Sequence, residues 1–191
     1  MVTVDEGLLN KVAARIAEPP GYAADGLTGS LLTVAAAAYS SGARSVEDVT
    51  QPTGFDPQAA ALFEAVLESA FLVANSDGHF DAIERGAFRH VILTACQGRV
   101  SELQIDALLA DLSDQLEEDG LSKRIEMVAK TIQREDHAKE VLRIAALLAR
   151  VSSGVSAEER QVLERLSDQF GLDRSTVPEA LAEVEQALSS Q

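Results

Sequence analysis

The sequence predicts an all-α protein, and three observations support this fold class. Aromatic residues make up only 4% of the 191 residues, and β-branched residues rarely occur in runs. Ala, Leu, Glu and Arg, which all favour helices, are abundant. Apolar residues recur every three or four positions instead of alternating with polar ones, which is the helical period. We therefore expect a compact helical domain of about seven helices, preceded by an N-terminal helical extension.

The N-terminal extension, residues 1–55, is expected to contain two helices. The first covers about residues 4–17, because leucine, valine and isoleucine recur at helical spacing and two prolines then end the pattern. The second is an Ala-rich helix over about residues 30–39. Residues 41–55 collect Gly, Ser, Thr and Pro, which is typical of a linker. The main domain is therefore expected over residues 56–191.

Helix start and stop signals divide this main domain. Asp56 followed by Pro57 is an N-cap with proline at the first helical position. Ser101 and Gln104 form the pattern of a capping box, and Gly120 is suited to end the helix that follows. One further helix begins at Asp81. The other helices are expected over about residues 56–75, 101–118, 121–133, 135–151, 156–169 and 174–189.

Charge and composition exclude several classes of function. The chain has 16 basic and 31 acidic residues, a net charge of −15, which repels nucleic-acid phosphates and anionic lipid surfaces. Cys96 is the single cysteine, so no internal disulfide forms, and a reducing cytoplasm fits best. The N-terminus lacks a secretory pattern. The apolar run LLTVAAAAY is far shorter than the roughly 20 residues that span a bilayer, so direct membrane insertion is not expected.

A weak internal repeat joins two parts of the chain. Residues 71–91 align with residues 146–166 without a gap, at a constant offset of 75. Both copies have the pattern of a helix, a short turn and a second helix. The identical pairs are Leu72 with Leu147, Ala74 with Ala149, Ala82 with Ala157, Glu84 with Glu159 and Arg85 with Arg160. We expect internal pseudo-two-fold symmetry, with the two turns or helix starts close to the axis.

The turn of the first copy carries an acidic cluster. Asp77, Asp81 and Glu84 place three carboxylates within eight residues, and such oxygen ligands suit Ca²⁺ or Mg²⁺. An EF-hand is excluded, because acids or amides are absent from the alternate positions that its loop requires. His79 widens the choice toward transition metals, although a lone His in a turn is more often simply solvated.

Helix capping is the alternative explanation of this cluster. Asp81 and Glu84 fit a capping box, and Ser156 with Glu159 repeats it in the second copy. Capping does not explain Asp77, which lies near the C-terminal end of the preceding helix, where the helix dipole disfavours a negative charge. Either a cation or exposure to solvent is expected to compensate this charge.

The repeated hairpin resembles the tellurite-resistance TerB family and its wider group, which includes the N-terminal domain of membrane-anchored DnaJ-like co-chaperones. The resemblance rests on ANSDGHFDAIER in the first copy and ARVSSGVSAEER in the second. Members typically show Asp-Gly and then Glu-Arg six and seven positions after the glycine, a spacing that Gly78, Glu84 and Arg85 match. The resemblance covers roughly residues 56–190.

This resemblance implies an all-helical fold with a pseudo-two-fold repeat and a candidate divalent-cation site shared by the two hairpins. In the second copy, Ser152 stands where the second Asp is expected, and Ser156 stands opposite Asp81. The candidate ligands for Ca²⁺ or Mg²⁺ are Asp77, Asp81, Glu84 and Glu159. The resemblance also implies a role in tellurite or other stress resistance, without catalysis, beside protein partners that include membrane-associated resistance components.

Two functional hypotheses therefore follow from the sequence. An enzyme is not expected, because the three His residues are scattered and no nucleophile elbow, P-loop or dinucleotide fingerprint is present. Cys96 falls on an apolar helix face, which indicates a buried and inert thiol. The chain is either a cation-responsive stress protein or a metal-independent helical scaffold that binds a protein partner. Whether it forms a homo-oligomer through its Ala-rich second helix stays open.

Overall fold

The computed structural model describes residues 5–21, 29–41, 56–151 and 154–189, and within these ranges every regular element is an α-helix. The helices are α1 (Glu6–Ala17), α2 (Leu31–Ser41), α3 (Pro57–Ala74), α4 (Ala82–Ala95), α5 (Glu102–Asp119), α6 (Leu121–Thr131), α7 (Glu135–Ala149), α8 (Ala157–Gln169) and α9 (Thr176–Ser189). The predicted all-α class is confirmed. The expected count of about seven corresponds to α3–α9, which follow two earlier helices.

Local capping explains where several of these helices begin. Asp56 precedes α3, and its Oδ1 accepts a hydrogen bond from the N–H of Gln58 at 2.9 Å, with Pro57 at the first helical position. Ser101 and Gln104 form the predicted capping box at the start of α5. Gly120, with a φ of 76°, separates α5 from α6, because a residue without a side chain adopts this conformation at little cost.

Helix α3 lies at the centre of the core, where it packs against α2, α6, α7 and α8. Its side chains are apolar on nearly every side, as expected for a helix surrounded by other helices. By length and composition alone α3 also qualifies as a membrane span, yet 61% of this stretch is buried inside the protein. Burial of this kind is what a central core helix shows.

The two N-terminal helices belong to the same hydrophobic core. Helix α1 packs mainly against α4 and also against α7, while α2 packs mainly against α3. Val12, Ile16 and Leu32 are fully buried within that core. The predicted boundary at residue 55 stays a prediction, because residues 42–55 of the predicted linker lie outside the described part of the chain.

Two buried polar side chains of α7 bind other helices to it. The Oε1 atom of Glu140 accepts a hydrogen bond from the Leu31 N–H at 2.6 Å, so α7 caps the first turn of α2. Arg143 donates from Nε to Glu183 on α9 at 3.0 Å, and from Nη2 to the carbonyl of Arg15 on α1 at 2.9 Å. Helix α7 therefore holds α1, α2 and α9 through polar contacts in addition to apolar packing.

The repeated segments form two helical hairpins, α3–α4 and α7–α8, and their first helices pack against each other. Both second helices begin with a capping box. The symmetry is partial, because α8 packs against α3 whereas α4 packs chiefly against α1. The repeat thus preserves the capping box of the second helix more closely than the helix packing, since α8 packs against α7 whereas α4 makes little contact with α3.

Candidate cation site at the paired hairpins

The turn of the first hairpin gives Asp77 a local partner. Oδ1 of Asp77 accepts a hydrogen bond from the N–H of His79 at 2.8 Å, and both residues are exposed. Gly78 between them has a φ of 79°, which favours glycine. This is the Asx-turn pattern, an aspartate that binds a backbone amide two residues ahead. Solvent and this amide therefore compensate the charge of Asp77, which helix capping does not explain.

The predicted capping box at the start of α4 is present. Oδ1 of Asp81 accepts from the N–H groups of Ile83 at 2.7 Å and Glu84 at 2.9 Å. In return, Oε2 of Glu84 accepts from the Asp81 N–H at 3.1 Å. Helix capping thus orients both carboxylates through backbone hydrogen bonds.

The second hairpin repeats this geometry with a serine in place of the aspartate. Oγ of Ser156 accepts from the N–H of Glu159 at 3.1 Å, and Oε2 of Glu159 accepts from the Ser156 N–H at 2.7 Å. Glu159 is buried, with 7% of its surface exposed. Ser152, the predicted counterpart of Asp77, lies outside the described residues.

The charges of two other candidate ligands act on the carboxyl group of Glu159. Burial is the main cause that raises the pKa of Glu159, and the carboxylates of Glu84 and Asp77 raise it further. The hydrogen bonds with Ser156 act in the opposite direction. Carboxylates from both hairpins therefore interact with one another. Asp81 remains at its own helix start, where it caps α4.

Aromatic packing supports the turn that carries these acids. The Phe80 ring meets the Phe71 ring edge-on at a centroid distance of 5.4 Å and the Phe88 ring at 5.8 Å. The Arg85 guanidinium lies 5.7 Å from the centroid of Phe80. Phe80 thus anchors the turn to α3 and α4, and the Arg85 guanidinium covers the Phe80 ring.

The fit of these residues to a divalent cation is partial. Across the residues that the structure describes, no group of three or more His, Cys, Asp or Glu side chains is arranged to hold a metal ion. Calcium in proteins takes six to eight oxygen ligands at about 2.3–2.6 Å. The four predicted carboxylates already accept backbone hydrogen bonds. The arrangement supplies negative potential without a closed ligand cage, so an ion there would keep much of its water.

Cys96 has the environment expected for an inert thiol. It is fully buried at the end of α4. Burial raises the pKa of the thiol to about 12, although nearby Arg99 acts in the opposite direction. The thiol is therefore protonated at neutral pH and is a poor nucleophile.

Fold and site together define an acidic all-helical protein with two paired hairpins whose carboxylates interact. Comparison with family models gives no match, and comparisons with curated proteins and with solved structures give none either. The resemblance to the TerB family, carried by residues such as Gly78 and Glu84, therefore stays a prediction.

The buried carboxyl groups predict how stability depends on pH. Burial raises the pKa of Glu140 and Glu159 above 4.5, so the folded protein binds these protons more tightly than the unfolded chain. The free energy of unfolding therefore falls as pH rises from about 4.5 through the raised values. We expect urea unfolding to show higher stability near pH 5 than near pH 7.5.

His137 changes the pH dependence of stability in the opposite direction, so the experiment needs a control variant at this residue. Its pKa is lowered, chiefly by burial, so it makes stability rise with pH below about 6.5. The His137→Gln variant removes this contribution. Adding Glu140→Gln and Glu159→Gln to that variant should reduce the remaining fall of stability with pH, and Glu64, whose pKa is also raised by burial, accounts for part of what is left. Stability that rises with pH in His137→Gln alone would contradict the prediction.

Proposed function

We propose that this chain is a non-enzymatic, cytoplasmic, TerB-like stress-resistance protein whose paired hairpins bind a divalent cation, Ca²⁺ or Mg²⁺, weakly. The observation that supports this proposal is the raised pKa of the buried Glu159, to which Glu84 and Asp77 contribute across the hairpins. The charges of Glu84 and Asp77 add to burial in disfavouring ionisation of Glu159, and a divalent cation would offset this effect.

The proposed cation acts as a link between the hairpins. Asp77 and Glu84 belong to the first hairpin and Glu159 to the second, so an ion shared among them favours the arrangement in which the hairpins are packed together. A ligand that binds only the folded state raises the stability of that state. Affinity is expected to be low, because the carboxylates also serve helix capping and the turn.

A metal-independent scaffold is the second candidate function. It is favoured by the backbone hydrogen bonds that each candidate carboxylate already accepts. In this case the acids only shape the hairpins, and the acidic surface binds a protein partner. Such partners include membrane-associated stress-resistance components or a second copy of this chain.

Isosteric amides separate the two functions. In the triple variant Asp77→Asn, Glu84→Gln and Glu159→Gln, every backbone hydrogen bond keeps an oxygen acceptor, while three negative charges are lost. For the wild type, a free calcium concentration of ten times Kd should raise the free energy of unfolding by about 1.4 kcal/mol. This corresponds to a rise in Tm of about 3 to 6 °C for a chain of this size. In the triple variant we expect this rise to disappear.

Glu158→Gln is the matched control. Glu158 is exposed in the first turn of α8, next to Glu159. Its replacement removes one negative charge and leaves Asp77, Glu84 and Glu159 unchanged. Calorimetric scans with calcium or magnesium are compared with sodium chloride at equal ionic strength. If both variants and the wild type show the same Tm change, the cation proposal fails and the scaffold is supported.

A further inference from the structure

A cleft of about 530 Å³ lies between the turn before α8 and helix α9. This volume falls within the range of pockets that take small molecules. Its polar lining includes arginines and one carboxylate, and its lining residues include Arg150, Gly154, Ser156, Arg160, Leu181 and Glu185. The cleft does not involve the interacting carboxylates of Asp77 and Glu84.

Among the described residues Arg150 forms no salt bridge with an acidic side chain, although the chain as a whole is strongly acidic. Its Nε atom is buried and has no hydrogen-bond partner in the described part of the protein. A buried donor without a partner costs free energy. Gly154 keeps room beside this guanidinium, since a Cβ atom at Gly154 would lie 3.2 Å from the Arg150 Nη1 atom. Because this Nε is inaccessible to solvent, the two terminal nitrogens of the Arg150 guanidinium are the donors available to a ligand in the cleft.

Arg160 is available for a ligand at low cost. Its Nε–Glu164 Oε1 salt bridge, at 3.1 Å, joins two side chains that are each about half exposed, and such a pair contributes little. In the first hairpin the repeat-related Arg85 lies over the Phe80 ring. At the equivalent position the second hairpin has Val155, so Arg160 has no ring to cover.

We propose that this cleft binds a small phosphate monoester through Arg150 and Arg160. Guanidinium groups suit phosphate because they donate several hydrogen bonds in a fixed plane. Glu185 on the α9 side of the cleft accepts a hydrogen bond from an amine or hydroxyl of the ester. The second hairpin thus recognises an anion in a cleft that Asp77, Glu84 and Glu159 do not line.

Isothermal titration calorimetry at constant ionic strength tests this proposal. The probes are inorganic phosphate and O-phosphoethanolamine, whose amine matches Glu185. We expect both to bind, with the ester tighter. Arg150→Gln and Arg160→Gln should each weaken binding about tenfold, because each removes charge-assisted hydrogen bonds. Glu185→Gln should abolish the preference for the ester.

Arg165→Gln is the control for simple charge. Arg165 is half-buried on α8, the helix that also carries Arg160, and its Nη2 donates to the Ser122 Oγ at 2.8 Å outside the cleft. Its replacement should leave phosphate binding unchanged. The proposal is overturned if neither probe binds the wild type, or if Arg165→Gln weakens binding as much as Arg160→Gln. Because Arg160 is half exposed, its variant is expected to fold, which circular dichroism checks.

Discussion

Phe71→Ala is expected to lower the free energy of unfolding by about 3–5 kcal/mol, as for other buried phenylalanines. Phe71 is 1% exposed in the central helix α3, so its removal leaves a cavity that the surrounding helices fill only in part. Its ring also meets Phe80 edge-on, and that contact is lost. Urea unfolding followed by circular dichroism measures the change.

This variant also tests the support of the acidic turn. Phe80 is in the turn between Asp77 and Glu84, and Phe71 is one of the two rings that anchor it. Any calcium response should therefore decrease in Phe71→Ala under conditions where the variant remains folded. Leu103→Ala is the control, because Leu103 is 81% exposed and its loss should change stability by less than about 0.5 kcal/mol. A loss below about 1 kcal/mol in Phe71→Ala would contradict the expected packing.

Arg124→Met should destabilise the protein by a similar amount, about 3–5 kcal/mol, because it breaks a largely buried ion pair. Nε of Arg124 and Oε1 of Glu68 are 2.6 Å apart, and the two side chains are 12% and 10% exposed. The same guanidinium binds Asp119 at 3.0 Å. Without it, Glu68 is a buried carboxylate near Glu64, whose pKa is raised by burial and then by the charges of Asp111 and Glu68.

The double variant Arg124→Met with Glu68→Leu provides the control. Replacing a whole buried ion pair by apolar residues of similar size is often neutral or stabilising, whereas removing one partner is costly. Urea unfolding of both single variants and the double variant should therefore show that most of the stability returns in the double variant. If the losses simply add, Arg124 and Glu68 do not act as a pair.

The sequence predicts most of the fold because its helix signals are local. Asp56 and Pro57, or Ser101 and Gln104, act within three residues of each other, so the amino-acid pattern is enough to place a helix start. The capping box of Asp81 was predictable for the same reason. The hydrogen bond from the His79 amide to Asp77 is equally local, and its Asx-turn signal was available in the sequence.

Long-range features of the site were less accessible to sequence reasoning. The repeat predicted that the two helix starts approach one another, and this is consistent with the effect of Glu84 on Glu159. The burial of Glu159 was not predicted, because it depends on how α8 packs against α3 and α7. Arg150 was also missed. The alignment pairs it with Asn75, and its unpartnered Nε is visible only in three dimensions.

The hydrogen bond between Glu140 and Leu31 has a consequence for synthesis of the chain. The two residues are 109 positions apart. A ribosome that adds about 5–20 residues per second makes Leu31 roughly 5–20 s before it makes Glu140. During that interval the nascent α2 lacks the hydrogen bond to Glu140 and its contacts with α7, and only Ser30 caps its first turn. Helix α3, on which α2 mainly packs, is made soon after α2, but the polar contact that fixes the first turn of α2 forms only after α7 has been translated.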